Sequence, residues 1–239
     1  MCTMETCEYD LMDRAEEELW WYRALHARLL EALSSTRGRV LDAGCGTGGL
    51  LRKLARERPD LHLYGCEMSG RAATRARVKS AAAVAVGSVD ALSFSDFVFD
   101  AVVSADVLCH RNVRPRVALK EMLRVLRPGG ILIINMPAFV WLYSMHDRRV
   151  HNALRVTSTE LNRLLTEAGF STPTVRYWNG FLLPIMAVHR RIIARRKESV
   201  SDVAPINRLL NSSLTKVLSW ERHVYMPAGG SVMATAVRP

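Results

Sequence analysis

The run Val40-Leu41-Asp42-Ala43-Gly44-Cys45-Gly46-Thr47-Gly48-Gly49 constrains the fold more than any other stretch of the chain. Its apolar start reads as the end of a buried strand, and its glycines read as a tight turn that opens a helix. Glycine tolerates positive φ in such a turn and leaves no Cβ to hold a ligand away from the N–H groups at the helix N-terminus. Gly44, Gly46 and Gly49 also satisfy the G-x-G-x-x-G spacing of dinucleotide-binding folds. The chain therefore reads as an α/β protein with a nucleotide-like ligand at the mouth of its first strand.

Asp42 discriminates between ligand classes. Its carboxylate precedes the first glycine, where it repels a pyrophosphate and attracts a cation. S-adenosyl-L-methionine carries an ammonium and a sulfonium and no phosphate, so it suits this position better than a nicotinamide dinucleotide. Glu67 ends the stretch Leu61–Cys66 and precedes Met68, where a carboxylate can accept hydrogen bonds from the ribose hydroxyls of either cofactor.

Strands are expected at about 39–43, 61–66, 82–86, 99–104 and 131–136, alternating with helices at about 48–57, 70–79, 114–126 and 158–168. Such alternation means a parallel sheet with helices on both faces. Two further strands, near 174–178 and 231–237, complete a doubly wound, seven-stranded, mostly parallel sheet, the last strand antiparallel. Apolar and aromatic residues from Leu11 to Leu33 suggest one amphipathic helix ahead of the first strand. The long connections 137–157 and 179–226 lie where open α/β sheets bind substrates, and are expected to form a lid.

At 239 residues the chain is expected to form a single domain over 1–239. Hydrophobic content of 49% and charged content of 23% argue against both disorder and a membrane span. The N-terminus lacks the pattern of a secretory signal, so a cytoplasmic location is expected. Five scattered cysteines argue against a disulfide framework and a zinc site, so no metal is expected. A net charge of +10 is compatible with an anionic partner, yet no nucleic-acid-binding motif is present. The basic stretch 189–197 is read as a solvated helix face, with contact to a bilayer surface or an acidic carrier as the alternative. The oligomeric state is not legible.

The order of motifs resembles the class I S-adenosylmethionine-dependent methyltransferases: the glycine turn, Gly87-Ser88-Val89-Asp90-Ala91-Leu92, Phe99–Leu108, and Leu123–Gly130 followed by Ile131–Asn135. The resemblance implies that Asp42, Gly44, Cys45, Gly46 and Gly48 line the cofactor, with Glu67 and Met68 at the ribose, Asp90 and Ala91 at the adenine, and Ala105 at the end of the fourth strand. A subgroup acting on small molecules is similar over most of the chain, through Trp20-Trp21-Tyr22-Arg23, Pro137-Ala138-Phe139, His146-Asp147 and His151. It implies that the N-terminal helix covers the cofactor, with Tyr22 facing it. Where that subgroup carries Arg-Arg-Tyr-Thr, this chain has Leu154-Arg155-Val156-Thr157, which points to a different acceptor.

Methyl transfer from a sulfonium requires alignment of a nucleophile and, for many acceptors, removal of a proton. His146 is the leading candidate base, with Asp147 or His151 tuning its pKa. His110, after the fourth strand, and His151 are further candidates. Each histidine could instead fix loop backbone. A protein of this fold that binds the cofactor without transferring methyl is the alternative reading.

Overall fold

A computed structural model describes residues 6–193 and 206–239. In chain order its elements are α1 (Thr6–Ala15), α2 (Trp20–Ala32), β1 (Gly38–Ala43), α3 (Gly49–Glu57), β2 (Leu61–Glu67), α4 (Gly70–Ser80), β3 (Ala83–Val86), β4 (Phe99–Ala105), α5 (Pro115–Val125) and β5 (Leu126–Pro137). There follow α6 (Met145–Arg149), α7 (Ser158–Ala168), β6 (Ser171–Trp178), α8 (Leu183–Ile193), α9 (Arg208–Glu221) and β7 (Ser231–Val237).

The strands form one seven-stranded sheet in the order β3-β2-β1-β4-β5-β7-β6. All neighbours pair in parallel except β7, which runs antiparallel to both β5 and β6. The C-terminal ends of β1 to β6 therefore share one edge, and the strand order reverses between β1 and β4. That reversal opens a crevice at the edge of an open sheet.

The core is built on both faces, as a parallel sheet demands. Along β5, Leu132, Ile134 and Met136 join Phe99, Met122 and Leu165 on one face, whereas Ile133 joins Leu29, Leu54 and Leu218 on the other. Side chains alternate faces along a strand, so each face draws on every second residue. Phe99 anchors an edge-to-face cluster with Tyr64 and Phe94, at centroid distances of 5.4 and 5.1 Å.

Local signals explain several helix ends. Thr157 and Glu160 cap α7 reciprocally, and Gly169 closes it at φ 102°. Ser69 accepts from Ala72 N at the start of α4.

Two expectations are corrected. The single helix over 11–33 is two helices, because Leu19 is extended and the backbone N–H of Trp20 is taken by Asn211 Oδ1 at 2.7 Å. Glu16 meanwhile pairs with Lys79 across the turn. β5 begins at Leu126 rather than 131, since Leu126 pairs with Phe99 ahead of a register shift.

Candidate active site

The glycine turn lies at the C-terminal edge between β1 and β2. Its backbone is left-handed at Gly44, Gly46 and Gly48, with φ of 91, 54 and 92°. These glycines divide the work. A Cβ at Gly44 would strike Val107, and one at Gly48 would meet the α4 backbone, 2.7 Å from Ala76 Cα. Gly46 faces outward, toward Met12 Cε at 2.8 Å from its ideal Cβ. Only Gly46 presents bare backbone at the mouth; the other two serve close packing.

Asp42 is 3% exposed. Burial, then the charges of Glu67 and Glu16, push its carboxyl up to about 8. The charged groups acting on it are carboxylates, so its proton is retained near neutrality in the ligand-free protein. Glu67 accepts from Gly46 N at 3.0 Å, Ser69 N at 2.8 Å and the Tyr9 hydroxyl at 3.1 Å. Those bonds hold the carboxylate against the glycine turn, and the Tyr9 bond shows that it can accept from a hydroxyl. A buried carboxyl that a cation would ionise, beside a carboxylate that accepts a hydroxyl, is the set of groups that an amino-acid nucleoside with cationic groups would satisfy. The residues therefore fit the expected cofactor.

α1 lies over this mouth, a role the sequence assigned to the Trp-Trp-Tyr helix. Its acidic side meets a basic row on α4: Asp10 with Arg71 and Arg75, Asp13 and Glu16 with Lys79. Arg71, Arg75 and Lys79 recur every four residues and so share one face of α4. Tyr22, on α2, packs edge-on to Trp21 at 5.0 Å. Trp21 in turn stacks on Trp178 at 6.1 Å.

The remaining expected residues lie as follows. Asp90 accepts from the backbone N–H and Nε of Arg114 at 3.1 and 3.0 Å, at the start of α5. Ala91 follows in the same turn. Met68 sits in the turn between β2 and α4, and Cys45 is buried, donating its backbone N–H to Cys66 O. Among the described residues, Cys45, Cys66 and Cys109 are free thiols. No group of three His, Cys, Asp or Glu side chains among the described residues converges as metal ligands.

The acceptor side lies where β4 and β5 end. Ala105 closes β4, and Asp106 follows with φ of 55°. Asp106 Oδ1 accepts from Asn135 Nδ2 at 3.0 Å, and Asn135 Oδ1 accepts from Trp178 Nε1 at 2.7 Å. Burial pushes the Asp106 carboxyl up to about 7, against the lowering effect of Asn135 and Arg155. Sequence reading overlooked this residue; an acidic side chain just after β4, before Val107 that packs on the glycine turn, was the available signal.

Asp147 is held by an arginine among the described residues. It is fully buried and accepts from Arg155 Nη2 at 2.9 and 3.0 Å, Arg155 Nε at 3.1 Å and Ser144 N at 2.8 Å. A carboxylate removed from water needs such a cation, and Arg155 reaches it with Ala138 O on its other side. Through these bonds Asp147 anchors the 137–157 connection. His146 begins the same short helix, and its side chain lies outside the described atoms. His110 bonds the Val150 carbonyl, and burial holds its pKa below the usual histidine value. His151 adopts φ of 56°, and both its ring nitrogens are buried without a hydrogen-bond partner.

Residues 41–134 match the methyltransferase domain family. A 37.1 kDa protein carried in a transposon of Streptomyces fradiae is 32% identical over 188 residues, covering 70% of this chain and 52% of that protein. The malonyl-[acyl-carrier protein] O-methyltransferase of Herminiimonas arsenicoxydans is 38% identical over 109 residues, 46% of this chain and 40% of the enzyme. The chain thus spans about half or less of the length of these curated relatives. In three dimensions it superposes on a SAM-dependent methyltransferase from Thermotoga maritima with a TM-score of 0.63 at 20% identity, covering 98% of this chain and 96% of the other.

Proposed function

The chain carries a class I S-adenosyl-L-methionine-dependent methyltransferase domain, and from that premise we propose that it methylates a small or medium organic acceptor in specialised biosynthesis. The observation that carries the cofactor part of this reading is the carboxyl of Asp42, buried beside Glu67 and the glycine turn and acted on by carboxylates. Asp42 attracts the ammonium end of the cofactor. Glu67 takes the ribose hydroxyls in exchange for the Tyr9 hydroxyl, and Gly46 leaves the backbone open to the ligand. Bound there, the cofactor supplies an electrophilic methyl group on a sulfonium.

The chain's own task is then to align the acceptor and accept its proton. Two groups compete for that role. Asp106 stands on a fixed Trp178–Asn135–Asp106 chain of hydrogen bonds and titrates near neutrality. His146 stands at the head of α6, in the connection that follows β5. The connections 137–157 and 179–226 act as the acceptor lid on this reading.

The test is incubation with methyl-labelled cofactor and a panel of small organic acids, phenols and amines, with transfer RNA and an acyl-carrier protein as comparison acceptors. Label in a small molecule together with S-adenosyl-L-homocysteine supports the reading. Acceptor turnover without S-adenosyl-L-homocysteine points to the non-methylating alternative, and label in RNA contradicts the acceptor class. Once an acceptor is known, removal of the base lowers turnover by roughly 10²- to 10⁴-fold with cofactor affinity unchanged. Asp106→Asn and His146→Ala, measured in single turnover across pH, separate the two candidates.

A further inference from the structure

Among the described residues, the outer face of α9 has no partner in the fold. Its inner face is fixed: Leu218 is buried, Asn211 Nδ2 donates to Glu18 O at 2.7 Å, and the buried Glu221 pairs with Arg28 at 3.1 Å. Glu221 also accepts the backbone N–H groups of Asn179, Gly180 and Phe181, just past the end of β6. α9 is thereby tied to the sheet edge that carries the site.

The opposite side is apolar and open to solvent. Leu209 and Trp220 are each 80% exposed, Leu210 52% and Val217 37%. At the helical repeat these four fall within a sector of about 100°. Beyond the helix end Tyr225 is 78% exposed. Phe181, whose N–H Glu221 holds, is 48% exposed.

The exposed charges of α9 itself have one sign. Arg208 and Lys216 are exposed, while the acid of α9, Glu221, is buried, and Arg222 just beyond the helix pairs with Glu31 of α2 at 3.4 Å. A second copy of the chain would bring the same cations together, which Coulomb repulsion disfavours. An acidic protein surface would match the cations and leave the tryptophan and leucines in water. A bilayer with anionic headgroups satisfies both halves, because Trp and Tyr partition to the interface while Lys and Arg reach the phosphates.

We propose that the exposed face of α9 docks on an anionic lipid surface, turning the site edge of the sheet toward the membrane. No helix among the described residues is long and apolar enough to cross a bilayer, so the contact is peripheral. The side chains of 189–193 and all of 194–205 lie outside the described residues, so the basic stretch 189–197 takes no part in the argument.

The experiment is sedimentation of the full chain with vesicles of phosphatidylcholine alone and of phosphatidylcholine with phosphatidylglycerol, read without cofactor or acceptor. Its failure therefore leaves methyl transfer untouched. Binding is expected only to the anionic vesicles, and Leu209→Asp and Trp220→Asp should each weaken it at least about tenfold. Both positions are exposed, so the variants should keep the wild-type circular dichroism and melting temperature; a variant that does not is replaced by Leu209→Ser or Trp220→Ser. Lys216→Gln should lower affinity and the salt dependence together. Wild-type protein that stays in the supernatant overturns the proposal. So does undiminished binding of the folded aspartate variants, which would mark charge-only adsorption elsewhere. A dimer in light scattering that the same variants dissolve would assign the face to a second copy and overturn it as well.

Discussion

At the scale of single residues, Asp42 has a consequence that can be read in solution. Its free carboxyl titrates at about 8, and a bound cation lowers that value. Below pH 8 cofactor binding must therefore expel a proton, and affinity should rise by up to about tenfold per pH unit until it levels near pH 8. Titration calorimetry of S-adenosyl-L-homocysteine at pH 7, in two buffers of different ionisation heat, should show this proton. Asp42→Asn should bind more weakly and without proton release; buffer-independent heats in the wild type would contradict the role. Glu67→Ala should weaken binding by roughly 1.5–3 kcal/mol, the range for a hydrogen bond to a charged group left unmade. Gly46→Val, at φ 54°, would force a side chain against Met12 and should abolish binding in a folded protein. An unchanged dissociation constant in either variant would remove that residue from the pocket.

At the scale of elements, α1 is joined to α4 and to the glycine turn by charged contacts. The Asp10–Arg75, Asp13–Lys79 and Glu16–Lys79 pairs clasp it to α4, and the Tyr9 hydroxyl adds one bond to Glu67. Lys79→Met should release α1 from α4, because it leaves the 4%-exposed Glu16 without its cation. Hydrogen exchange of residues 9–15 should then quicken while the strands stay protected, and high salt should act the same way on the exposed Asp10 pairs. Equal exchange in the variant and the wild type would show that packing, not charge, holds the helix. Much of this layer was legible beforehand. The helix 158–168 and the strand 231–237 were expected at the bounds observed, since a capping box and period-two apolar patterning are local signals. The split of the N-terminal helix was not legible, because its cause is Asn211, distant in sequence, taking the Trp20 N–H. The pairing of Asp147 with Arg155 was not legible for the same reason: adjacency to His146 in sequence says nothing of Arg155, which holds it in space. The glycine turn was legible as a site, but not the sharing of its glycines between the mouth and close packing.

At the scale of the whole molecule, the site leaves a mark on stability. Asp42 and Asp106 titrate at about 8 and about 7 when folded, above the ordinary carboxyl value of about 4. The folded state therefore binds more protons than the unfolded state over that range, and the ligand-free protein should lose stability as pH rises from about 6.5 to 8. Buried His26 and His110, whose pKa values are lowered, act in the opposite direction only as pH falls through the unfolded histidine value of about 6.5. Chemical denaturation across pH should show the decline, and Asp42→Asn should flatten it; a rise over the same window would mean that the carboxyls are compensated. The doubly wound sheet by itself serves dinucleotides and S-adenosyl-L-methionine alike, so the central question is which of the two this sheet edge holds. Equilibrium dialysis of the purified chain against S-adenosyl-L-homocysteine and NAD decides it. Saturable binding of S-adenosyl-L-homocysteine, lost in Gly46→Val and weakened at least about tenfold in Glu67→Ala, with none for NAD, is the expected result. Saturable NAD binding with none for S-adenosyl-L-homocysteine would contradict it.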